Sequence, residues 1–152
     1  MAVFNYKVGM HNVGSYMVSG IPYISSSIAV PPSGTAGPIL ISFPRVTKFV
    51  TVRNTVSTDI TAPMRVGFAK IGTVASGALP GGAGFTLNGG QFGANFFILN
   101  SGESYTGDWR VKDIFLMGDT SAHSSASVIA GLTSISTASV DFSNWSGSLG
   151  VG

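Results

Sequence analysis

No window of a dozen residues in this chain sustains a helical apolar period without meeting a glycine or a proline. Glycine loses the most conformational freedom on helix formation, and proline removes a helical hydrogen bond and clashes with the preceding turn. The chain holds 21 glycines and 7 prolines. Serine, threonine and glycine together exceed a third of the residues. What remains are short β-branched and aromatic runs bounded by turn residues, the pattern of an all-β sandwich or barrel. At 152 residues, one domain with its own core is the simplest organisation. No tandem repeat is visible, which argues against a propeller or a β-helix.

The strand candidates fall in order along the chain. Residues 1–20 place Tyr6, Met10, His11, Val13, Tyr16 and Val18 among glycines and read as an arm with little regular structure. Ile21 to Val30 is the first strand candidate, stopped by Pro31 and Pro32, and Ile39 to Phe43 is the second, stopped at Pro44. Val46 to Asn54 is the strongest. Strict alternation puts Val46, Lys48, Val50 and Val52 on one face and Thr47, Phe49, Thr51 and Arg53 on the other. Neither face is purely apolar, so the inward one stays open. Met64 to Ile71, Phe96 to Leu99, Glu103 to Thr106, Trp109 to Met117 and Val128 to Ile135 complete the set. Residues 72–93 read as a long Gly-rich loop inside the domain, with Asn88-Gly89 a type I′ turn signal. The expected division is an arm over 1–20, a sandwich over 21–136 and a tail over 137–152. About eight antiparallel strands is the count of a single jelly-roll β-sandwich.

Charge is the second constraint. The chain has 8 basic and 6 acidic residues, 9% in all, against roughly 25% in an ordinary soluble domain. No charged residue occurs from Val8 to Pro44, nor from Ile71 to Gly102. Charged side chains keep a free surface soluble and patch-free, so a chain that omits them is expected to set much of its surface against other protein, including copies of itself. The basic residues are scattered apart from Arg45, Lys48 and Arg53. That group reads first as an edge strand defended by positive charge and second as a basic patch for nucleic acid; direct genome packaging is not expected. The first residues hold no apolar run of signal-peptide length, and the uncharged stretches are too often broken to span a membrane as a helix.

Chemistry-bearing clusters are sparse. There is no cysteine, which excludes disulfides, thiolate metal sites and cysteine nucleophiles. His11 and His123 lie far apart, and Asp59, Glu103, Asp108, Asp113, Asp119 and Asp141 fall mostly in or beside turns, where Asp satisfies local backbone donors. Leu79-Pro80-Gly81-Gly82-Ala83-Gly84 lacks the Lys-Ser/Thr and the helix of a phosphate-binding loop. No catalytic residues, metal ligands or cofactor site are expected, and the chain is read as a non-enzyme. Trp145, alone in Asn144-Trp145-Ser146-Gly147-Ser148, and Tyr16 and Tyr23 beside the arm are the candidate subunit-interface aromatics. Aromatic anchors of this kind dominate many interfaces.

The run Phe43 to Asn54 (FPRVTKFVTVRN), the segment Ala130 to Ile135 (AGLTSI) and the tail Asn144 to Ser148 (NWSGS) together resemble single jelly-roll structural proteins of icosahedral DNA viruses. Vertex (penton) and minor capsid proteins are the nearest in character. That resemblance implies β-sandwich subunits in cyclic oligomers, with terminal extensions reaching neighbouring subunits, other capsid proteins as partners, and a place in the virion. A pentameric vertex component is the leading expectation. A trimeric phage head decoration protein is the first alternative, and a carbohydrate-binding module the second. The chain is too short for a double jelly roll and lacks a basic N-terminal arm.

Overall fold

The computed structural model describes residues 8–9, 12–17, 20–34, 36–56, 62–68, 70–73 and 96–140. Within them the chain forms eight strands: β1 (Ile21–Val30), β2 (Ile39–Ser42), β3 (Arg45–Asn54), β4 (Met64–Gly67), β5 (Phe96–Leu99), β6 (Ser104–Gly107), β7 (Asp113–Gly118) and β8 (Ser124–Ser136). Two single turns of helix, α1 (Gly14–Met17) and α2 (Lys70–Thr73), and a 3-10 turn at Thr137–Val140 accompany them.

The pairing is nested. β1 pairs with β8, β2 with β7, β3 with β6 and β4 with β5, every pair antiparallel. The chain is thus one long ribbon doubled back at the β4–β5 connection and rolled up. Contacts β3–β8 and β4–β7 close the roll into two four-stranded sheets, ordered β1-β8-β3-β6 and β2-β7-β4-β5. This arrangement is a jelly-roll β-sandwich, the fold that composition and strand count predict.

The core lies between the sheets and follows rows of paired residues. In the first sheet Val52 sits between Val128 and Tyr105, and Val50 between Ala130 and Gly107. In the second, Val66 sits between Leu116 and Phe97. Val50, Val52, Val66, Leu116 and Val128 are fully buried, each contributing about 1.5–3 kcal/mol relative to exposure.

Three register shifts interrupt the alternation that a sequence reading assumes, one in the β1–β8 ladder and two in β3–β8, at Arg45/Thr47 and Thr47/Phe49. Between Ser25 and Ile28, β1 advances three residues while β8 advances two. Ser27, in the left-handed region at φ 57°, absorbs the extra residue, so Ile28 and Val30 face inward in place of Ser27 and Ala29. On β3 the register slips between Thr47 and Phe49. Lys48 is exposed there while Thr47 and Val46 are both buried, and from Phe49 onward Val50 and Val52 point inward. Lys48 therefore leaves the face on which alternation groups it with Val46, Val50 and Val52.

Other boundaries differ too. The expected strand Met64 to Ile71 ends at Gly67, because Phe68 leaves the sheet to pack edge-on against Trp109 at 4.8 Å. The expected strand from Trp109 begins at Asp113, with Val111 making an isolated bridge. The last strand is longer than expected and starts at Ser124.

Candidate functional site

The two sheets are open along the side where β5 and β6 are the edge strands. Side chains that face the core elsewhere in the sandwich face an opening here. Phe97 ends the row that runs through Leu116 and Val66, and Tyr105 ends the row through Val128 and Val52. Across the gap their ring centroids are 5.1 Å apart. Gly107 follows Tyr105 on the same side of β6 and has no side chain to fill its row. The Trp109 ring folds back into that space, and a Cβ at position 107 would overlap it. Trp109 lies nearly parallel to Tyr105, at 17° and 5.5 Å, and tilted to Phe97 at 49° and 5.9 Å.

The result is a cleft of about 540 Å³ lined by Phe97, Ile98, Tyr105, Trp109, Ser104 and Glu103. Tyr105 is 48% exposed, whereas Trp109 is half-buried. The platform is anchored from behind, where the Thr47 hydroxyl contacts the carbonyls of Trp109 (2.6 Å) and Val111 (3.0 Å) and accepts the Val111 N–H at 3.1 Å.

Among the described residues, the charge on the rim is that of Glu103. Oε2 of Glu103 accepts the Asn100 backbone N–H at 2.8 Å and the Asn100 side-chain amide at 3.1 Å. The backbone bond foremost, and then the side-chain bond, hold the carboxyl below the usual glutamate range. Among the described residues, no basic residue lines the cleft. Chemically it is an aromatic surface with an ionised acceptor at its edge.

No protein-family model and no curated protein matches the chain.

The outer faces are the other candidate surfaces. On the first sheet Ile24 lies directly opposite Ile129 in the β1–β8 ladder, and they are 70% and 44% exposed. Thr51 and Thr106 continue the row, their hydroxyls 2.8 Å apart. Arg53 shares this outward face, and no carboxylate of β1, β3, β6 or β8 lies on it. On the second sheet Leu40 is exposed and Phe115 and Phe96 are half-buried, while Arg65 pairs with Asp119 and lies 4.6 Å from the centroid of the Phe96 ring.

The residues singled out in the sequence do not converge. Tyr16 is half-buried against Val46 and Ile135; its hydroxyl is buried without a hydrogen-bond partner, and the Arg110 guanidinium sits 5.7 Å from its ring centroid. Tyr23 packs on the core, edge-on to Phe43 at 5.1 Å. Trp145 lies outside the described residues, as do the arm's first residues, most of the 72–93 loop and the tail beyond Val140. Arg45, Lys48 and Arg53 are all exposed along β3, and Arg45 donates to the Ser134 carbonyl at 3.4 Å.

The edge-strand reading of those three is corrected. β3 is an interior strand, bonded to β8 on one side and to β6 on the other, so its charges have no free edge to defend. Among the described residues no group of three or more His, Asp or Glu could hold a metal ion, and no helix is long and apolar enough to cross a membrane. The cleft escapes sequence reasoning because its aromatic residues, though all within 97–109, lie on edge strands of two different sheets and on the segment after β6. Its single local signal is Gly107 two residues before Trp109, a strand position left empty beside a large ring.

Proposed function

We propose that this chain is a structural subunit of a virus particle, forming a closed ring with copies of itself at a vertex or as a minor component of the shell. The outward face of the first sheet carries the reading. Ile24 and Ile129 stand opposed and exposed there, on a face that carries the exposed bases Lys48 and Arg53 but no carboxylate. Burying such a face against another subunit removes apolar area from water and desolvates few charges. The jelly roll agrees with this reading, since viral shell proteins are among its recurrent users. Contact between unlike patches of identical subunits closes a ring when the rotation between them closes.

Light scattering on a sizing column tests the proposal, run from about 1 to 100 µM because assembly follows mass action. A discrete mass of five subunits, seen as rings by negative-stain microscopy, is the expected result. A trimer that binds only to a preformed shell transfers the reading to a head-decoration protein. A monomer over the whole range overturns it.

A further inference from the structure

We propose that the cleft between β5 and β6 is a binding site for a neutral saccharide chain. The inference does not depend on assembly, since every residue of the cleft comes from one sandwich.

Shape comes first. A cleft of about 540 Å³ falls within the usual range for small-molecule sites, roughly 300–1,000 Å³. It holds one or two pyranose rings and is far larger than a single methylammonium group needs.

The arrangement of the aromatic rings narrows the chemistry. Tyr105 and Trp109 lie within 17° of parallel in an offset stack, and Phe97 leans against both. An aromatic cage for a quaternary ammonium ion requires rings set around a point with their faces toward it. Here two of the three faces turn toward each other, leaving one broad, half-exposed surface led by Tyr105. A pyranose presents a flat array of C–H groups to such a surface and keeps its hydroxyls at the perimeter.

A polar group stands where that perimeter would fall: an ionised Glu103, which accepts and does not donate. Both Asn100 bonds fall on Oε2 of Glu103, so Oε1 retains capacity for a sugar hydroxyl. Charge then selects within the class: among the described residues, the charged side chain lining the cleft is an acid, Glu103. It repels nucleotides and acidic glycans and leaves neutral ones. A proline-rich peptide also docks on aromatic grooves, but it offers few donors to a carboxylate. The platform is preformed as well, with Trp109 seated over Gly107 and its carbonyl bonded to Thr47, so little ordering cost is left for binding.

The test uses the full chain and a panel of neutral linear oligosaccharides: cellohexaose, chitohexaose, mannohexaose and xylohexaose, with a polyproline decapeptide in parallel. Saturation-transfer NMR reads contact from the sugar protons, and tryptophan emission in a Trp145→Phe background isolates Trp109. At least one sugar should bind saturably below about 10 mM, and Tyr105→Ala should weaken it at least about tenfold, as truncating an aromatic anchor does. Glu103→Gln should weaken it less, with the fold intact by circular dichroism. No response from any sugar, binding unchanged in Tyr105→Ala, or saturable binding of polyproline alone would each overturn the site.

Discussion

Thr47 shows how much a single hydroxyl can organise. Buried on β3, it links that strand to the segment carrying Trp109 and Val111 through three short contacts. Valine has nearly the same shape but leaves the Val111 N–H and the Trp109 carbonyl without this partner. Abandoning buried polar groups costs about 1–3 kcal/mol, so Thr47→Val should lower the unfolding free energy by that amount, read as a lower urea midpoint at unchanged slope, and shift the Trp109 emission. An unchanged midpoint would mean that water replaces the hydroxyl. The sequence did not reveal this role. Alternation along β3 groups Thr47 with Phe49, Thr51 and Arg53, and only the slip at Lys48 turns it inward. Gly131 is a similar case. It reads as a weak point inside a strand, yet it leaves room for the Phe49 ring that covers it.

Strands were legible where apolar runs were bounded by turns, and β1 and β5 fall where those runs predict. Their faces were less so, because one inserted residue reverses every side chain beyond it. On β1 the inserted residue is Ser27, held at φ 57°. A β-branched side chain is strongly disfavoured in that region, where even an ordinary L-residue costs about 1–2 kcal/mol. Ser27 already carries that cost, so Ser27→Gly should relieve up to about 1–2 kcal/mol, whereas Ser27→Val should destabilise the fold. Urea unfolding of the pair checks it; equal midpoints would show that the bulge relaxes to another register. Pro22 and this bulge also interrupt β1 as an edge for strand addition. That leaves its side-chain face, through Ile24, as the surface more open to a neighbour.

For the whole molecule, scarcity of charge leads to a prediction about association. If copies meet through the outer face of the first sheet, Ile24→Lys and Ile129→Lys should each reduce the assembled mass in light scattering. Each should leave the thermal midpoint of the sandwich nearly unchanged, because exposed substitutions usually stay within about 0.5 kcal/mol. With so few ion pairs available, the parent assembly should also keep its mass in about 1 M NaCl, where surface electrostatics are screened within about 3 Å. A parent assembly that dissociates in salt, or two lysine variants that assemble like the parent, would place the interface elsewhere.

Composition by itself determined that the chain builds strands and not long helices, approximately where those strands lie, and that its surface carries little charge. These properties are local, readable from residue type and spacing. Which strand meets which was settled only by the tertiary structure. Ile21 pairs with Leu132 and Met64 with Leu99, and alternation does not encode a partner so distant in the chain. The bulges, and with them the inward faces, follow from fitting those partners together. The cleft depends on the same step. Phe97, Tyr105 and Trp109 are ordinary core-type aromatics in sequence, and they become a half-open platform because the roll leaves β5 and β6 as neighbouring edges, with Gly107 at the end of β6 making room for the Trp109 ring.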